Sequence, residues 1–229
     1  MKLLFQSALI ALLCSTVVIA QNRPDPEVPQ GENLEVPDGW EVRLDRDMDD
    51  VIISSDADSA DIYFVNMTPG WHITSGPAAI YYHPGNTAAG EYKLSVTLHL
   101  FDPGNRNREA FGIFLGGTNL SGEDQRYLYF LIRNTGEFLI KERIGSETEV
   151  IQNWTSADSI NLFTEDMNDS SAENTLSVSV SGSKLFFSIN NNEVTSVAAG
   201  NYPTDGLYGL RVNHSINLHI SDLAYTSID

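Results

Sequence analysis

Residues 92–100 read Tyr-Lys-Leu-Ser-Val-Thr-Leu-His-Leu, an unbroken alternation of apolar and other residues. A period of two places Tyr92, Leu94, Val96, Leu98 and Leu100 on one side of the chain and Ser95, Thr97 and His99 on the other, as in a half-buried β-strand. The pattern returns at 175–181, with Leu176, Val178 and Val180 inward. Gly182-Ser183 follows, then a second alternating run at 184–189, which together predict a hairpin. Asn190 to Asn192 is read as the next turn. Further strands are expected at 41–45, 51–53, 61–65, 78–82, 109–115, 126–133, 137–144, 207–213 and 216–225, punctuated by Pro-Gly, Gly-Asn and Asp-Gly pairs. No segment sustains a 3.6-residue period over three turns, and no repeat of fixed period is present. About a dozen short strands over about 190 residues predict an all-β fold, a two-sheet antiparallel jelly-roll sandwich.

The start of the chain reads differently. Lys2 is followed by apolar runs and then by Val18-Ile19-Ala20, a basic start, an apolar centre and small residues at −3 and −1. This is the pattern of a secretory signal peptide over 1–20, cleaved near Ala20, which makes the protein secreted or periplasmic. The run is short for a membrane span, so no span is expected in the mature chain. Leu13 before Cys14 is a poor match to a lipoprotein site. Residues 21–38 hold Pro24, Pro26, Pro29 and Pro37 and read as an extended proline-rich linker. Residues 39–229 are then one β-sandwich domain. The full chain of 229 residues carries 13 Lys+Arg against 31 Asp+Glu, a net charge of −18. Loss of residues 1–20 removes Lys2 and the lone Cys14, so the mature chain stands at −19 with no thiol nucleophile, disulfide or Cys-ligated zinc. Such acidity argues against nucleic acid as a partner and against adsorption to anionic lipid.

Residues 126–133 and 137–144 flank Asn134-Thr135-Gly136, a three-residue hairpin loop ending in Gly. Pairing Arg133 with Glu137 sets Ile132 opposite Phe138 and Phe130 opposite Ile140, a face for the core. The other face pairs Leu131 with Leu139, Tyr129 with Lys141 and Tyr127 with Arg143. Rings interleaved with cations offer stacking surfaces beside hydrogen-bond donors, which suits a sugar ring or an acidic glycan. Ordinary cross-strand pairing on a solvated sheet accounts for the same residues without a ligand. Trp71 and His72, in Gly70-Trp71-His72 before Gly76-Pro77, form a second candidate platform, and Trp154 a third. Core anchoring is the alternative for each tryptophan.

Signatures of metalloproteases, Walker loops, dinucleotide sites and the nucleophile elbow are absent. The histidines, His72, His83, His99, His214 and His219, show no metal-ligand spacing and are read as structural. No catalytic residue and no resident metal or cofactor is assigned. Two acidic segments are compared with calcium loops. Residues 45–56 carry acids at loop positions one, three, five and twelve, but Asp50 stands where the turn wants Gly. Asp166, Asn168, Asp169 and Glu173 form the other; calcium in these loops is the alternative reading, and solvated acidic loops are the favoured reading of both. Asn66, Asn119, Asn153, Asn168 and Asn213 fit the glycosylation sequon, which matters only in a eukaryotic secretory route.

Three stretches carry a family likeness: residues 111–117, residues 174–182 running on through Phe187 to Asn190, and residues 205–212 with the closing strand to Tyr225. From about Trp40 to Tyr225 the chain resembles the concanavalin A-like lectin/glucanase superfamily. Within it, the chain looks closest to bacterial secreted domains grouped with 3-keto-disaccharide hydrolases. The likeness implies a jelly roll. It does not carry over glucanase activity, because the Glu-x-Asp-x-x-Glu run of those enzymes is missing. The expected function is an exported, non-catalytic domain that binds carbohydrate or another extracytoplasmic polymer, through Tyr127, Tyr129, Arg133, Lys141 and Arg143 with Trp71, His72 and Trp154. A glycoside-acting enzyme using Glu109, Glu137 or Glu142 near His99, and a structural or adhesive envelope protein, are the alternatives.

Overall fold

A computed structural model describes residues 34–104, 107–167 and 170–228. Two sheets make the fold. The seven-stranded sheet runs β1 (Glu41–Leu44), β5 (Ala79–Ala88), β14 (Gly206–Val212), β7 (Ala110–Thr118), β8 (Arg126–Arg133), β9 (Glu137–Ile144), β10 (Glu147–Ser156). The eight-stranded sheet runs β13 (Asn192–Ala198), β12 (Lys184–Ile189), β11 (Ala172–Ser181), β6 (Tyr92–Leu100), β15 (Ile216–Ser227), β4 (Trp71–Ser75), β3 (Ile62–Asn66), β2 (Ile53–Ser54). Every pairing is antiparallel except the short β2–β3 contact. The all-β sandwich expected from the alternation is the observed architecture. No described helix is long and apolar enough to cross a membrane. The signal peptide, Cys14, most of the proline-rich linker, Asn168 and Asp169 lie outside the described residues. The last linker residues lie against the domain: the Glu35 carbonyl accepts from the Asn66 amide at 2.9 Å, and Pro37 is buried.

The main core fills the space between the sheets. Leu94, Val96 and Leu98 meet Leu176 and Val178 on the next strand, and across the sandwich lie Ile113, Leu128, Phe130 and Ile140. These are the inward residues that the period of two selects. Hairpin register is as read from the sequence, with Arg133 opposite Glu137, Tyr129 opposite Lys141 and Tyr127 opposite Arg143. Gly136, at φ 77°, supplies the left-handed residue that closes the three-residue loop.

Three strands go beyond the sequence reading. β13 begins at Asn192 because Asn190 and Asn191, at φ 50° and 64°, make a complete two-residue turn between Ile189 and Asn192. β10 is a bulged, largely exposed edge strand, so it shows no alternation. β4 is short but pairs fully with β3 on one side and β15 on the other.

A second apolar cluster covers the other side of the seven-stranded sheet. It joins Ile80, Tyr82, Ala110, Phe114, Tyr127, Tyr129, Leu131 and Leu139 under Leu120 from the β7–β8 loop. That loop is tied to β1 by the Arg43 guanidinium, which donates to the Ser121 carbonyl at 3.0 Å. β7 and β8 are therefore buried on both faces, which explains the near-continuous apolar run from Ala110 to Leu115.

Candidate functional site on the outer face of the seven-stranded sheet

Tyr127, Tyr129, Lys141 and Arg143 share the outer face, as the pairing pattern requires. The tyrosines are not an open stacking surface. Tyr127 is 1% and Tyr129 4% exposed, held beneath Leu120 and the side chain of Arg211. Burial raises the pKa of both phenols, against the lowering effect of Arg211. Their polar neighbour is an ion pair that sequence reasoning did not single out. Arg211, on β14, places one terminal nitrogen on each oxygen of Asp45, both at 2.5 Å, and its guanidinium carbon lies 4.8 Å over the Tyr129 ring. Burial pushes the Asp45 carboxyl up, but the Arg211 hydrogen bonds and the charges of Arg211 and Arg143 outweigh it and hold the group below the usual carboxylate range. Arg143 fastens the same segment, donating to the Asp45 carbonyl at 3.2 Å and to the Gly145 carbonyl at 2.6 Å. The available signal was the charge of Arg211 inside the apolar run Leu-Tyr-Gly-Leu-Arg-Val, where a central strand seldom carries an unpaired cation.

Beside this pair opens a cleft of about 900 Å³ between the Asp45 segment, the β7–β8 loop and the β9–β10 turn. Arg43, Arg143 and Gln125 supply donors to it, and Asp47, Glu123 and Glu147 supply acceptors. At the opposite end of the hairpin, Arg133 pairs with Glu137 at 2.6 Å and lies 4.0 Å over the Trp154 ring. Trp154 is half-buried against the outer cluster. Lys141, midway, has no ion pair or hydrogen bond among the described residues.

Trp71 and His72 lie on the other sheet and do not join this site. Trp71 packs on Trp40, ring centres 4.7 Å apart, at the edge of the main core. His72 is 1% exposed on the outer face of the eight-stranded sheet, between Tyr63 and Phe101. There β4, β15 and β6 bring His72, His219 and His99 into one row, with Glu173 of β11 at its end. Burial, followed by repulsion from His219, lowers the His72 pKa to about 4, with the Asn217 hydrogen bond opposing. Burial also lowers His99 and His219. Sequence spacing hid this row, because its members come from three separate strands. Among the described residues, no group of three His, Cys, Asp or Glu is arranged to hold a metal ion. Asp45, the first position of one acidic segment compared with a calcium loop, spends both oxygens on Arg211.

Glu137 and Glu142 do not converge. Glu142 faces the core side of β9, is buried, and accepts from Arg126 at 2.6 Å. Glu137 sits at the far end of the same strand on the opposite face, bound to Arg133 and Thr135. His99 is on the other sheet.

No family model and no curated protein matches the chain. Solved structures do. The carbohydrate binding module CBM66 from Bacillus subtilis superposes with a TM-score of 0.57 at 10% identity, over 82% of this chain and 96% of that one. A Bacillus licheniformis β-glucanase gives 0.55 at 9% identity, over 89% and 96%. A Bacillus subtilis protein of unknown function with a galectin-like fold gives 0.53 at 12% identity, over 82% and 89%. Together with the strand order and the two antiparallel layers, these matches show that the chain has the concanavalin A-like jelly-roll fold.

Proposed function

We propose that the protein is an exported, non-catalytic domain that binds carbohydrate at the outer face of the seven-stranded sheet, in the cleft at its Arg143 end. The cleft carries this reading. Sugar hydroxyls donate and accept at once, and the walls mix guanidinium and amide donors with carboxylate acceptors. The neighbouring tyrosines are packed beneath Leu120, and Arg143 holds the backbone carbonyls of Asp45 and Gly145, so the backbone of the wall is ordered before a ligand arrives, which lowers the ordering cost of binding. A carbohydrate binding module and a β-glucanase with the same fold support the ligand class. The separation of Glu137 from Glu142, their existing ion pairs and the missing glucanase run support a role without catalysis.

Glycan-array screening followed by isothermal titration across plant, algal and microbial polysaccharides tests the reading. Binding to at least one saccharide is expected, weakened about tenfold or more by Gln125→Ala with Arg143→Ala. Saccharide binding untouched by that double change places the site elsewhere, and no binding across the panel refutes the proposal.

A further inference from the structure

The Arg211–Asp45 pair has the form of an occupied binding seat. Arg211 is 7% exposed, its fork grips both oxygens of one carboxylate, and the Tyr127 hydroxyl stands 3.4 Å from the same fork. Its Nε is buried with no partner among the described residues. Lys141 lies across from Tyr129 on the next strand and has no acid partner among the described residues. In a chain of net charge −18, a buried guanidinium over the Tyr129 ring, with Lys141 paired opposite Tyr129 on the next strand, gathers positive charge where a carboxylate is held.

The carboxylate now in the seat stands on a backbone held by Arg143 and the Ala78 carbonyl, and the residues that follow it are loosely held. Asp45 is 24% exposed and lines the cleft. Residues 46–50 are exposed, and the described residues show no hydrogen bond from Arg46 to Val51, only a 4.0 Å approach of Asp47 to Arg43. Rotation of the Asp45 side chain would free the fork without opening a strand, since the backbone amide of Asp45 stays on the Ala78 carbonyl.

We infer that Arg211 is the recognition point for a carboxylate-bearing saccharide, a hexuronate unit, and that Asp45 is its internal stand-in, displaced when the ligand binds. The inference rests on the carbohydrate-binding reading and adds the charge class of the ligand. A uronate carries its carboxylate on a ring whose hydroxyls meet the mixed donors and acceptors of the adjoining cleft.

Isothermal titration of the full chain with oligogalacturonate and with its methyl ester tests it, because esterification removes the charge and keeps the ring. The acid is expected to bind about tenfold or more tighter than the ester. Asp45→Asn, which removes the competing charge and keeps an oxygen for Arg211, is expected to tighten acid binding about tenfold. Arg211→Lys, which keeps a charge but loses the fork, is expected to bring the acid-to-ester ratio near one. Equal binding of acid and ester by the natural chain overturns the inference and leaves the carbohydrate-binding reading standing. No binding of either probe by the natural chain or by Asp45→Asn also overturns it, while the glycan array decides the broader reading on its own. Polyglutamate bound more tightly than oligogalacturonate overturns the saccharide class. Should Arg211→Lys fail to fold, the acid-to-ester ratio and the Asp45→Asn response decide alone.

Discussion

Acid is expected to weaken this fold through His72 at pH values where Asp45 and Glu137 still carry their charge. The imidazole is buried between Tyr63 and Phe101, beside His219, and its pKa falls from an ordinary 6.5 to about 4. In the unfolded chain it titrates normally, so at pH values between these two the unfolded state binds the extra proton. A depressed pKa therefore means full stability above about pH 6.5, lost progressively as pH falls toward the folded value. At about pH 5 the chain is some 1.5 pH units below the unfolded pKa and still above the folded one, which corresponds to a loss of about 2 kcal/mol from this residue. That is a large share of the ~5–15 kcal/mol that holds a typical domain. Asp45 and Glu137, whose pKa values are lowered, lose their contributions at lower pH, so the interval from about pH 7.5 to about pH 5 isolates the histidines. His99 and His219 act in the same direction and are present in both proteins compared. The assay is urea unfolding followed by tryptophan fluorescence at several pH values, for the natural chain and His72→Gln. The natural chain is expected to lose about 2 kcal/mol more than the variant over that interval. Equal losses within about 0.5 kcal/mol would refute the buried, neutral state of His72.

Other expectations concern the outer face. Asp45→Ala leaves the Arg211 charge buried and unpaired and is expected to cost about 3 kcal/mol, read as a lowered urea midpoint, whereas replacing both partners by apolar residues costs far less. Leu120→Ala uncovers the tyrosine cluster and is expected to cost about 2–3 kcal/mol in the same assay, with increased binding of a hydrophobic dye. At Gly70, φ 77°, a Cβ would stand 1.8 Å from the Ile220 carbonyl oxygen, so Gly70→Ala is expected to give little soluble folded protein by circular dichroism and size exclusion.

Period-two patterning made most of the fold legible, because a strand buried on one face writes that face into every second residue, as at Leu94, Val96 and Leu98. The same logic set the β8–β9 register before the structure did. It was silent where an edge strand is exposed and bulged, as in β10, or where two asparagines turn the chain more tightly than expected, as before β13. The candidate site was legible in part. Tyr127, Tyr129, Lys141 and Arg143 share a face as read, but two features that decide what the face can do are long-range. Leu120 covers the rings from a loop, and Asp45 reaches Arg211 across 166 residues of sequence. The histidine row is long-range in the same sense, with His72, His99 and His219 brought into register only by the strand order β4–β15–β6.

Amide chemical-shift mapping locates the carbohydrate-binding surface residue by residue. An isotope-labelled chain is titrated with an oligosaccharide hydrolysate of plant and algal polysaccharides. Shifts are expected to cluster at residues 43–47, 123–125 and 143–148, along the walls of the cleft beside Arg211. Shifts centred instead on the eight-stranded sheet, around Thr97, Thr175 and Ser177, or no shifts at any saccharide concentration, would contradict carbohydrate binding at this cleft.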